Sequence, residues 1–248
     1  MLSNFQTRFW ELDFLRGLAI IMMIISNVIT SISYFNVVDI NTHAGFWKIF
    51  ATSTATLFIL LVGISLTLSY AKIRNRTRKQ ILLKYLKRGL MIFSWGLAIT
   101  FISWFFIRED FIIFGILHFI GLAIILAIPF LKHKFLNLIF AMTFIAVGFY
   151  TKQLIADNLL FIWMGLTPAK FSTVDYFPIF PWFGIILLGI FMGNLLYKNY
   201  SRNFQIQNLS NNRGVKLFSF LGRNSLIIYL IHQPIIITTL YILGYIII

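Results

Sequence analysis

The sequence predicts an all-α integral membrane protein, a bundle of about seven transmembrane helices with the N-terminus cytoplasmic and the C-terminus external. Three observations predict it. Hydrophobic residues make up 59% of the 248-residue chain and charged residues only 11%, whereas soluble domains run nearer half apolar and a quarter charged. The apolar residues lie in long blocks, not at amphipathic spacing. The basic residues fall on alternate connections between those blocks.

The blocks, in order, are Phe14–Tyr34, Trp47–Tyr70, Gly89–Ile107, Phe111–Leu131, Phe135–Tyr150, Phe177–Tyr197 and Asn224–Ile248. A crossing helix needs about 20 residues, and the fifth block is the shortest. Leu159–Leu166 is apolar but too short to span, which makes it a candidate re-entrant or interfacial segment. With the N-terminus inside, the cytoplasmic segments hold 17 of the 21 Lys and Arg, eight of them between Lys72 and Arg88. The outer segments hold Lys48, Arg108, Lys152 and Lys170. This asymmetry is what the positive-inside rule expects of seven spans. No second domain, low-complexity run or internal repeat is visible. Glu11, Asp13 and Arg16 interrupt the first apolar run, so it reads as an uncleaved first helix rather than a removable signal peptide.

The chain has no cysteine, which excludes a disulfide framework, a cysteine–zinc site and a thiol nucleophile. Its net charge of +14 reads as loop charge beside anionic lipid and not as a nucleic-acid footprint. No metal-ligand pattern appears, and no glycine pattern of a nucleotide fold accompanies the basic run.

Polar groups at membrane depth are costly and mark function or a structural polar network. In the first block, Asp13 and Arg16 share a face by their spacing of three, and Asn27 returns to that face eleven residues on, roughly 16 Å deeper. As structure alone, this is an interfacial ion pair plus an amide joining two helices. His118 lies roughly 12 Å in from the outer edge and His232 roughly 13 Å in from the inner edge, with Ser225 and Tyr229 on the face of His232. Each could be a satisfied core residue. Three polar groups near one depth favour a common cavity. His43 lies in the outer connection Phe35–Phe46, where a histidine is commonly just solvated. The other candidates on that side are Asp39, Glu109, Asp110, Asp157 and Asp175, and only histidine changes charge near neutral pH. The run Lys72–Lys79, with Lys84, Lys87 and Arg88 beyond it, serves topology and lipid contact. It equally suits an anion site for a phosphorylated substrate.

Four stretches carry a resemblance: Trp10–Asn27 (WELDFLRGLAIIMMIISN), Phe114–Gly121 (FGILHFIG), Tyr176–Gly184 (YFPIFPWFG) and Leu221–Pro234 (LGRNSLIIYLIHQP). Together they resemble the heparan-alpha-glucosaminide N-acetyltransferase catalytic-domain family and its prokaryotic relatives, part of a broader group of transmembrane acyltransferases. The likeness implies one transmembrane acyltransferase-like domain over residues 1–248. Related acyltransferases carry histidine where this chain has Asn27, while the heparan enzyme is similar in having Asn there, followed by His-Ala in the next outer loop. His43-Ala44 resembles that pair, with a longer interval. The resemblance thus implies Asn27 and His43 as a catalytic pair; His118 and His232 stay candidates by their depth in the membrane. It implies acetyl-CoA taken from the cytoplasm as donor, and an amino sugar or glycan outside as acceptor. Candidate donor-binding residues are Arg16, Arg74, Arg76, Arg78, Lys79, Lys87, Arg88, Asn224 and Ser225. Membrane lipid is an expected partner, nucleic acid and metal are not, and a homodimer is left open. The rival is a transporter or flippase that uses the same midplane polar cluster as its binding site.

Overall fold

A computed structural model describes residues 8–156, 158–198 and 200–246. Asp157, and Ile247 and Ile248 at the end of the seventh block, lie outside the described residues. The elements are α1 (Trp10–Tyr34), α2 (Gly45–Ala71), α3 (Arg78–Phe106), α4 (Ile116–Leu126), α5 (Phe135–Thr151), α6 (Ile179–Leu196), α7 (Arg213–Arg223) and α8 (Ser225–Ile242). Two short 3-10 helices, Ile128–Lys132 and Leu159–Met164, and a small antiparallel hairpin of β1 (Tyr197–Lys198) and β2 (Ser201–Arg202) complete them.

Among the described residues, α1, α2, α3, α6 and α8 are long and apolar enough to cross a membrane. The apolar helices α4 and α5 are shorter, at 11 and 17 residues. The fourth block is thus not one continuous α-helix. It becomes α-helical only at Ile116, and Pro129 sits in the first turn of the 3-10 helix that follows. Proline has no N–H with which to continue an α-helical ladder. The third helix begins eleven residues before its apolar block. Thr77 and Gln80 form a reciprocal capping box there, and the basic residues after them are good helix formers. The Leu159–Leu166 segment becomes a 3-10 helix, with Leu159 and Leu160 exposed and Ile162 buried.

The chain packs as two compact units, one of residues up to 61 with those from 206 on, the other of residues 62–205. The first holds α1, α7, α8 and the start of α2. Gly17 and Gly222 let α1 and α7 touch backbone to backbone. A Cβ on Gly17 would lie 1.9 Å from the Phe218 carbonyl oxygen, and one on Gly222 1.9 Å from that of Asp13. Farther along α1, Gln233 donates to the Ser31 hydroxyl at 3.0 Å. Val28, Ile32 and Phe35 pack with Ile236, Leu240 and Ile246. Contact positions advance together along both helices, so α1 and α8 run in the same direction.

In the second unit, α3 packs on α4, α5 on α6, and the end of α2 on α6. Glycines sit at these crossings, as is common where helices meet without a hydrophobic driving force. The segments after α3 and before α6 bond to each other. Thr173 donates to the Phe111 carbonyl (2.8 Å), Val174 N–H to Asp110 (3.1 Å) and Phe177 N–H to Phe114 (2.9 Å). These are two of the connections expected outside.

Candidate functional site

Asn27 and His232 meet in the first unit. The Asn27 side-chain nitrogen lies 2.9 Å from His232 Nε2. His232 Nδ1 lies 2.6 Å from the Tyr229 backbone carbonyl. A carbonyl only accepts, so Nδ1 carries the proton. Neutral His232 then presents its Nε2 lone pair to Asn27, whose amide donates to it. The imidazole is 8% exposed. One ring edge is thus fixed by its own helix and the other is aimed at α1, the geometry that holds a histidine ready to accept a proton at Nε2.

His118 belongs to the second unit, so the expected three-residue cluster divides: the structure joins Asn27 to His232, while His118 has partners of its own. Gly115 N–H donates to His118 Nδ1 at 3.3 Å, and Nε2 lies 3.2 Å from Thr100 Oγ1. Thr100 spends its hydroxyl proton on the Ile112 carbonyl at 2.6 Å. It can therefore only accept from His118, whose proton sits on Nε2. Phe93 and Phe114 flank the ring, with centroids 5.3 and 5.8 Å away. Both nitrogens are satisfied and the residue is 2% exposed. Thr100 is absent from the sequence-level candidates; its only signal was a hydroxyl inside an apolar block.

Asp175 caps the same helix, its carboxylate accepting from Ile116 N–H at 3.0 Å. Burial pushes this carboxyl up to about 6, and the hydrogen bond from Ile116 pulls the other way. Tyr176 beside it donates to the Ile162 carbonyl at 2.7 Å, and burial pushes its phenol up to about 12.

His43 stands exposed in the loop between α1 and α2. Its backbone N–H donates to Asn41 Oδ1 at 3.0 Å, a local turn that precedes Gly45, at φ 61°. The candidate donor-binding residues divide between the units. Arg16 pairs with Asp13 on α1. Asn224 joins α7 to α8, its amide donating to the Phe220 carbonyl at 2.9 Å, and Ser225 opens α8. Arg74 and Arg76 lie in the loop after α2, while Arg78, Lys79, Lys87 and Arg88 lie on the first turns of α3, all exposed. Among the described residues no group of three or more His, Asp or Glu could hold a metal ion.

Apolar helices of membrane-crossing length, two of them joined by a half-buried amide on a buried imidazole, describe a membrane protein with polar groups among its helices. Residues 8–234 match the model of the family described as heparan-alpha-glucosaminide N-acetyltransferase, catalytic, and the chain belongs to that family. It is accordingly a member of a group of membrane acetyltransferases. No curated protein and no solved structure shows significant similarity to it.

Proposed function

We propose that this chain moves an acetyl group from cytoplasmic acetyl-CoA to an amine or hydroxyl of an amino sugar or glycan on the external side. In this reading it crosses the membrane seven times, with α4 and α5 as the short spans. The hydrogen bond between Asn27 and His232 carries the proposal. His232 Nε2 takes the proton of the acceptor N–H or O–H as that atom attacks the thioester carbonyl. The Asn27 amide, released from Nε2 when the acceptor binds, donates to the developing oxyanion. The C–S bond then breaks, and the thiolate leaves with the proton that His232 had taken. Tyr229, by holding Nδ1–H, keeps the ring in the tautomer this requires.

A second reading gives the base or acetyl-carrier role to His43. Two observations favour it: the His43-Ala44 pair, and the short loop 35–44 that leaves α1 only seven residues, about 10 Å of helix, beyond Asn27. The test is turnover of acetyl-CoA by purified protein in detergent, with His232→Ala, Asn27→Ala and His43→Ala side by side. We expect His232→Ala to lose roughly 10²-fold or more in kcat, the lower end for removing acid–base catalysis, with acetyl-CoA affinity little changed. Near-normal turnover by His232→Ala together with loss in His43→Ala would transfer the role to His43. A wild-type protein that neither binds nor turns over acetyl-CoA would favour the transporter.

A further inference from the structure

The second unit contains a cavity of about 260 Å³ whose lining includes Arg74, Lys132, Lys198, Asn194, Thr67 and Tyr197. Its three cations come from three separate places: the loop after α2, the end of the 3-10 helix Ile128–Lys132, and β1 just past α6. They are 58 and 66 residues apart in sequence, and the fold brings them to one cavity. None of the lining residues is acidic.

Cations also gather at helix C-termini for structural reasons, and α2 and α6 both end here. Magnitudes separate the two explanations. Two α-helix C-termini present roughly half an elementary negative charge each. Lys132 and Lys198 alone supply two full positive charges, leaving a net of about one before Arg74 is counted. The excess, in a concave site with amide, hydroxyl and phenol groups in its wall, is the electrostatic complement of a phosphoryl group. The cavity is smaller than those that enclose a whole drug-sized ligand, so it suits the phosphorylated end of a larger molecule.

We infer that the Arg74–Lys132–Lys198 cavity is a phosphoryl-binding site, built from residues other than the Asn27–His232 pair. The phosphoryl group has two possible sources, the nucleotide end of a soluble cofactor or the headgroup of an anionic lipid. The first source rests on the acetyl-CoA reading above; the second does not.

The test compares full-length wild type with Lys132→Gln/Lys198→Gln and with the charge-preserving Lys132→Arg/Lys198→Arg. Both lysines are exposed, so the exchange removes no buried packing, and the melting profile is expected to stay unchanged. Inorganic pyrophosphate is the first probe. Each lysine lost should weaken binding about tenfold, less at high salt, and the arginine pair should retain it. Acetyl-CoA titration and native mass spectrometry from phosphatidylglycerol nanodiscs then identify the source. A parallel loss of acetyl-CoA affinity assigns the site to the cofactor. Unchanged acetyl-CoA binding with loss of retained phosphatidylglycerol assigns it to lipid. Wild type and the glutamine pair alike toward all three probes would overturn the inference and leave the cations as partners of helix ends. Wild type that binds pyrophosphate through these lysines but never binds acetyl-CoA would refute the acetyltransferase reading and leave this site standing.

Discussion

Gly222→Ala should loosen the first unit, while the same exchange at Gly214, eight residues earlier on α7, should not. At Gly222 a Cβ would meet the Asp13 carbonyl oxygen at 1.9 Å and the Gly17 nitrogen at 2.9 Å. Ordinary contact begins near 3.4 Å, so the two backbones must part by roughly 1.5 Å, and neither can swing aside as a side chain would. A gap of 0.5–1 Å already forfeits about a quarter to a half of a dispersion contact. The contacts at stake include the Phe14–Phe218 ring pair, 5.1 Å between centroids, and the Ser219 hydroxyl on the Trp10 carbonyl. Overpacking typically costs about 1–3 kcal/mol; with backbone on both sides we expect the upper end. At Gly214 the nearest atom is the Asn212 side-chain oxygen at 3.3 Å, and alanine is the better helix former by up to about 1 kcal/mol. Thermal melting of the two variants in one detergent decides. Gly222→Ala should melt several degrees lower and Gly214→Ala at or above wild type. Equal melting temperatures would refute the close approach of α1 and α7. Gly222→Ala should also slow acetyl-CoA turnover, because α1 carries Asn27 and α7 leads into the helix of His232.

Two further outcomes are expected. A reporter fused after Asn75 should read cytoplasmic and one after Lys170 external, as the 17-to-4 distribution of basic residues requires; both on one side would break the seven-crossing topology. Asp175, whose carboxyl is raised from 3.8 to about 6, takes up a proton on folding between those values. Its contribution therefore turns unfavourable as pH rises through that window, by on the order of 2–3 kcal/mol. Asp175→Asn keeps an acceptor for Ile116 N–H and does not titrate. The melting advantage of wild type over Asp175→Asn should fall from pH 4 to pH 6.5, and a constant difference would refute the burial argument.

The apolar blocks located α1, α2, α5, α6 and α8 within a few residues, because hydropathy reports directly on segments that carry little charge. It fails where a helix carries charge. The first turns of α3 are basic, and only the Thr77–Gln80 capping pair announced them. It fails also for α7, whose polar and apolar faces cancel in any average. There the legible signs were Asn212, which accepts from the N–H groups of Gly214 and Val215, and the helical spacing of Arg213, Lys216 and Arg223 around apolar residues. The pairing of Asn27 with His232 was visible only as shared depth, which His118 shared as well. The cavity around Lys132 and Lys198 could not be read at all, since it depends on where α2, the 3-10 helix and α6 end in space.

The two buried histidines show what depth alone leaves open. Each makes a hydrogen bond to the residue three positions earlier, yet the bonds run in opposite directions. His118 is the third residue of α4, and the group three positions back is the N–H of Gly115, the N-cap residue, free because a helix start leaves its first donors unpaired. His232 is the eighth residue of α8, where the ladder already uses such N–H groups and only a carbonyl remains to be met, that of Tyr229. Position in the helix therefore decides the tautomer. Near a start, the ring accepts at Nδ1 and carries its proton on Nε2; in mid-helix it donates at Nδ1 and leaves Nε2 basic. Of the two, only His232 offers a lone pair to a partner side chain, and that partner is Asn27. In sequence the residues look alike, Leu117-His118 and Ile231-His232, each inside an apolar block. What separates a structural imidazole from a candidate base is the distance to the helix start, which Gly115 marks for one and Asn224 for the other.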